Sequence, residues 1–269
     1  MICCRSVFIA IATLVFVAGA SAHDTANGRY FPAHVLHATW QKMPVKGYTD
    51  LITGVVYRGN PRPTCGMPLG GLDTGCIDIE SNGMLGYSTI FNHLVEPRLL
   101  INAPWLGISV NGETCVLVTD SKGKEHRPLH RETGVFPPLD YSPAFFDTGL
   151  GDVRVARSID YFGHYPILDM EFDTELPVEI GVRAWSPLLP GDTETSMTPA
   201  AVFEIALRNP IDTVKAGTVS LCFPGFDNPG AKANPPSKRQ KVEGQLAGVS
   251  VQTFDDASVN MQYVLAAIR

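Results

Sequence analysis

A repeated two-residue alternation constrains this chain more than any other feature. Val178-Glu179-Ile180-Gly181-Val182-Arg183-Ala184-Trp185 places an apolar side chain at every second position up to Ala184. That is the period of a half-buried strand, because successive side chains on a strand point to opposite faces. Leu168, Met170 and Phe172 alternate in the same way with Asp169, Glu171 and Asp173. Ala201, Phe203, Ile205 and Leu207 alternate with Val202, Glu204, Ala206 and Arg208. Further strands are expected over residues 105–110, 114–118, 153–161, 214–223, 249–254 and 261–268. No segment carries a long helical stripe.

Turn residues separate these runs. Asn111-Gly112 lies between two apolar runs and predicts a tight hairpin, since both residues tolerate a left-handed backbone. Asn82-Gly83 predicts a second. Residues 121–150 and 224–245 read as long loops. The expected fold is all-β: antiparallel sheets packed as a β-sandwich, with long loops. Residues 23–54 show no clear period and read as an extended N-terminal arm, with the β domain over residues 55–269.

Arg5, the apolar run Val7 to Val17 and the small residues Ala20-Ser21-Ala22 form a signal-peptide pattern over residues 1–22. Cleavage is expected after Ala22, and the product is expected in the periplasm, at the cell surface or in the medium. The run is too short for a comfortable permanent span. Cys65, Cys76, Cys115 and Cys222 would remain. Cys65 and Cys76 bracket a glycine-rich stretch and are the first pair to test for a disulfide, with buried free thiols the other reading. With 21 Lys+Arg against 27 Asp+Glu the chain is acidic, which argues against a nucleic-acid partner. Lys238, Arg239 and Lys241 are the one basic cluster and read as a solvated loop.

Gly66-Met67-Pro68-Leu69-Gly70-Gly71-Leu72-Asp73-Thr74-Gly75-Cys76-Ile77 is the densest feature. So many glycines imply left-handed backbone or close approach by another group. It lacks the Lys of a phosphate loop and runs into a strand-like Ile77-Asp78-Ile79, so nucleotide binding is not supported. The stretch resembles the Gly-Ile-Pro-Leu-Gly-Gly-Ile-Gly-x-Gly segment of the N-terminal domain of family 116 glycoside hydrolases. That family includes non-lysosomal glucosylceramidases and bacterial β-glucosidases. Asn82-Gly83-Met84, Ile90-Phe91-Asn92-His93, Trp185-Ser186-Pro187-Leu188-Leu189-Pro190-Gly191-Asp192, Pro199 to Glu204 and Leu207 to Pro210 resemble further family elements, in order. Asp73 departs from the pattern, which tends to glycine there.

The resemblance implies a large antiparallel, supersandwich-like β-sandwich that packs on a separate (α/α)-barrel catalytic domain, in an enzyme that hydrolyses β-glucosides with retention. The family's Glu nucleophile and Asp acid/base lie in that barrel, and no residue of this chain matches them. All-β patterning runs to Arg269, so the barrel is expected to be separate or missing. No catalytic residue, metal or cofactor is therefore assigned. Asp169, Glu171 and Asp173 share one strand face, with i, i+2 neighbours about 6.5–7 Å apart along it. Side chains in one row cannot flank a glycosidic bond, and the alternation reads as a solvated face. Gly70, Gly71, Asp73, Asn92, His93, Trp105, Trp185 and Asp192 are the candidate carbohydrate or interdomain contacts. For Trp185 a core or interdomain position is the preferred reading over a sugar contact; Trp105 reads equally as a core residue. An accessory scaffold is the first functional expectation; a freestanding exported carbohydrate-binding or adhesion module, taking a β-glucoside or other glycan, is the alternative.

Overall fold

A computed structural model describes residues 9–15, 28–59, 66–89, 99–119, 154–211, 213–223, 237–254 and 260–268. Its strands follow in chain order. The first seven are β1 (Ile9–Val15), β2 (Gln41–Met43), β3 (Ile52–Gly54), β4 (Met67–Leu69), β5 (Ile77–Ile79), β6 (Met84–Ser88) and β7 (Leu99–Pro104). Then come β8 (Leu106–Val110), β9 (Glu113–Val116), β10 (Arg154–Val155), β11 (Ser158–His164), β12 (Ile167–Asp173) and β13 (Glu179–Trp185). One helical turn, α1 (Thr193–Ser196), precedes β14 (Val202–Arg208). The chain continues through β15 (Ala216–Cys222), β16 (Ser237–Val242), β17 (Leu246–Phe254) and β18 (Asn260–Ile268).

The all-β expectation holds, and the pairing is antiparallel apart from β9 with β10. Sheets of order β1-β15-β8-β9-β10 and β4-β5-β6-β7 face the sheet β11-β12-β13-β14. Between them lies the main core, where Leu168, Met170, Ile180, Val182 and Ala184 meet Ile79, Trp105, Ile108 and Val219. The alternating apolar residues of the sequence are the ones buried here. Both hairpin signals form turns: Asn111 and Gly112 have φ of 52° and 88°, and Gly83 has φ of 86°.

Three expectations need correction. The segment read as one strand over 153–161 is two strands in different sheets. Between them Ala156 N–H donates to Val118 O at 2.9 Å and Arg157 N–H to Asp173 O at 2.8 Å, so the chain changes sheet there. The basic cluster Lys238, Arg239 and Lys241 is exposed, as expected, but lies on the edge strand β16 rather than in a loop. Charged side chains on an edge oppose further strand pairing.

The third correction is the largest. Asp169 and Glu171 are not on a solvated face; they are 0% and 2% exposed. The arm packs over them. Tyr30, Phe31, Val35, Met43, Val45 and Val56 form a second core with Phe162 on the far face of the β11–β14 sheet. Only Asp173, beyond the arm, stays in solvent. The alternation therefore marks the main core correctly, while the second face is buried by a segment with no period of its own.

Buried carboxylates require partners. Arg183, directly opposite Asp169, grips it through Nε–Oδ1 at 2.6 Å and Nη2–Oδ2 at 2.8 Å. His164 Nε2 adds a contact to Oδ2 at 3.1 Å. Glu171 accepts the Tyr30 N–H at 2.7 Å and both terminal nitrogens of Arg208, which reaches it from β14. Gly181 lies between them on β13. A Cβ there would meet the Tyr30 ring at 3.0 Å and Arg208 Nη1 at 3.1 Å, so glycine opens the path for both. Burial pushes the Glu171 carboxyl up from its ordinary value, and Arg208, the Tyr30 N–H and Arg29 only partly offset this.

Arg208→Met should leave the Glu171 charge buried and unpaired. A loss of about 3–5 kcal/mol is expected by urea unfolding. A carboxyl whose folded pKa is raised favours the fold below its unfolded pKa and loses that contribution as pH rises through the folded value. The deficit of the variant should therefore be smaller at mildly acid than at mildly alkaline pH.

Candidate functional site

The glycine-rich stretch forms β4, a tight turn and β5. Gly70 N–H donates to Ser186 Oγ at 2.6 Å, and Leu72 N–H donates to Ser196 O at 2.7 Å. A Cβ on Gly70 would fall 2.0 Å from Gly75 O, and one on Gly71 2.4 Å from Thr198 O. Neither space admits a side chain. The glycines serve close approach, as the sequence implied: the approaching group is the backbone of the same turn at Gly75 and Cys76 for Gly70, and the backbone just after α1 for Gly71.

Asp73 has φ of 60° and Gly75 φ of 86°. This explains the departure at Asp73. The position requires left-handed backbone, which glycine adopts freely and aspartate tolerates better than most residues. Thr74 closes the turn, with its N–H and Oγ1 both donating to Gly71 O, at 3.2 and 2.9 Å.

The segment after Trp185 supplies the opposing surface. Its carbonyls and amides are gathered by two side chains. Asp192 caps α1: Oδ1 accepts Thr195 N–H at 3.0 Å and Oδ2 accepts Thr195 Oγ1 at 2.7 Å. These hydrogen bonds from Thr195 hold the Asp192 carboxyl below its usual range. Ser196, 2% exposed, accepts Leu189 N–H at 3.0 Å and donates to Asp192 O at 2.7 Å.

The structure thus brings Gly70, Gly71 and Asp73 together with the turn that carries Trp185 and Asp192. The carboxylate of Asp192 is spent on its cap. Trp185, half-buried, ends β13 on the face opposite Val182 and Ala184. Trp105 does not join them: it is buried and tilted against Phe203 at 4.7 Å between ring centres. It is a core residue. Asn92, His93 and Cys65 lie outside the described residues. Cys76 Sγ lies 3.4 Å from Thr89 Oγ1, and burial pushes the Cys115 thiol up to about 11.

Three residues at this tip were missed from the sequence. Leu72, Leu189 and Met197 are 43%, 53% and 43% exposed. All three converge on Ser196: Leu72 and Leu189 hydrogen-bond to it through their backbones, and Met197 follows it in sequence. For Leu72 and Leu189 the signal was an apolar residue at a turn beside glycine or proline; Met197, between Ser196 and Thr198, carried none. Trp40, 75% exposed on the arm, is another residue that sequence reasoning passed over.

Gly71→Ala should force the turn away from α1. A loss of about 1–3 kcal/mol is expected in urea unfolding, as for other overpacked sites. Gly107→Ala is the control, because a Cβ there meets nothing closer than 3.7 Å.

Comparison with curated proteins gave no match. Comparison with protein families matched residues 66–268 to beta-glucosidase 2, glycosyl-hydrolase family 116 N-term. The match starts at the first glycine of the tip and runs through β18. The chain belongs to this family: residues 66–268 are a family 116 glycosyl-hydrolase N-terminal domain.

Proposed function

We infer that this chain is the accessory β-sandwich of a β-glucosidase-like or glucosylceramidase-like enzyme. It scaffolds an (α/α)-barrel that hydrolyses β-glucosides with retention. The family match supports a catalytic-domain partner in the full enzyme. The observation that carries the reading is the tip, where the two segments most like the family meet and expose Leu72, Leu189 and Met197. The barrel docks there. Apolar anchors at the centre of an interface typically cost about 2 kcal/mol or more when lost. The hairpin-like tip is held rigid by Gly70, Ser186 and Ser196, so little ordering entropy is spent on docking.

Export is part of the proposal. The apolar run that reads as a signal includes Ile9–Val15, which pairs with β15 along the sheet edge. Cleavage after Ala22 removes that strand and leaves β15 as an edge. Among the described residues no helix is long and apolar enough to cross a membrane.

Two outcomes test these statements. The chain should co-elute with a family 116 catalytic barrel produced without its own N-terminal domain. A Leu72→Asp/Leu189→Asp variant with unchanged thermal unfolding should not. Co-elution that survives both substitutions would remove the tip from the interface. N-terminal sequencing of the exported protein should begin at His23; a start upstream of Ile9 would mean that β1 is retained.

A further inference from the structure

A cleft of about 440 Å³ opens where the arm meets one end of the β11–β14 sheet. Its size falls within the roughly 300–1,000 Å³ of small-molecule sites. Arg29 and Ala33 line it from the arm, Arg58 from the segment just after it, and Asp160, Glu171 and Glu179 from the strands. None of these belongs to the tip. Pro177, Val178 and Pro210 form an apolar wall.

The polar groups alternate in sign. Asp160 and Glu171 are directly opposite on neighbouring strands, which alone would repel. Asp160 Oδ2 is met by Arg29 Nη2 at 3.6 Å and Arg58 Nη2 at 3.3 Å. Glu171 is held by Arg208. Glu179 Oε2 lies 3.5 Å from Arg208 Nε, and neither atom has a hydrogen-bond partner among the described residues. The Glu179 side chain as a whole is 37% exposed and lines the cleft, so its carboxylate is open to a ligand hydroxyl.

We propose that this cleft binds a neutral saccharide unit. An anion placed there meets Asp160, Glu171 and Glu179 as well as the guanidiniums. A cation meets Arg29 and Arg58 as well as the carboxylates. Neither sign gains. A sugar hydroxyl donates and accepts at once, so it fits between a carboxylate and a guanidinium. Adjacent ring hydroxyls can repeat that match along the Asp160–Arg58 and Glu179–Arg208 pairs. The wall of Pro177, Val178 and Pro210 takes the C–H face of the ring. The site holds glycan without any reacting group and is independent of whether a barrel docks at the tip.

Ligand-observed NMR on the full chain tests this, with glucose and cellobiose as probes and inorganic phosphate and calcium chloride as controls. Saccharide should bind in the millimolar range and neither control should displace it. Glu179→Gln should bind about tenfold more weakly, the loss of roughly one hydrogen bond. Ala33→Trp, which fills the cleft from an exposed position on its rim, should abolish binding with the melting temperature unchanged. If Ala33→Trp fails to fold, Glu179→Gln decides alone. No saccharide signal, binding equal in Glu179→Gln and the parent, or displacement by phosphate or calcium would overturn the proposal.

Discussion

The Asp169–Arg183 and Glu171–Arg208 pairs are the contacts on which the rest of this structure depends. They sit in the middle of the β11–β14 sheet, on the face away from the main core. Two carboxylates removed from water are costly, and good geometry is what makes the cost bearable. Each guanidinium is therefore shared with the arm. Arg183 Nη1 donates to Lys46 O at 2.8 Å and its plane lies 4.7 Å from the Tyr30 ring centre. Arg208 Nη1 donates to Gly28 O at 3.1 Å. The ion pairs and the arm need each other: without the arm the pairs lie in water, and without the pairs the arm covers bare charge.

This coupling explains how one sheet serves two layers. Its inner face takes the alternating apolar residues and builds the sandwich core. Its outer face combines charge, Gly181 and Phe162. A Cβ on Gly54 would come 2.5 Å from the Phe162 ring, so the arm hairpin also needs a glycine to close down on the sheet. Burial and the Glu204 carboxylate hold the Tyr30 phenol well above its ordinary value, which keeps it a neutral hydrogen-bond donor to Glu204 Oε1 at 3.0 Å. The same arrangement leaves the cleft at the sheet's end, where guanidiniums and strand carboxylates meet without an apolar plug.

At the other end of β13 a different rule applies. The tip joins two turns by backbone contacts, with Ser186 and Ser196 as bridges. Such contacts are short-range and exacting about volume, so the glycines are fixed by sterics rather than by chemistry. Asp73 can replace glycine because its position asks for an unusual φ and not for an absent Cβ. Gly70 and Gly71 ask for the absent Cβ. The tip is thus a rigid display for Leu72, Leu189 and Met197.

The β class, the main core residues, the hairpins at Asn82-Gly83 and Asn111-Gly112, and the family were legible in the sequence. Each is a local signal: a period of two, a turn dipeptide, or an ordered set of short motifs. Trp105 could not be placed from its neighbours in sequence, because a core and a sugar platform have the same flanks. Asp169 and Glu171 were misread for a related reason. Alternation states that two faces differ; it cannot state that the polar face is solvated. Whether a charge is buried depends on what the chain packs over it and on a counter-charge arriving from another strand. The sequence by itself determined the strands and their inner face, because strand period is a property of adjacent residues. The arm's cover, the buried pairs, the tip and the cleft were decided by tertiary structure: the pairs join different strands of one sheet, and the other three join residues more than a hundred positions apart.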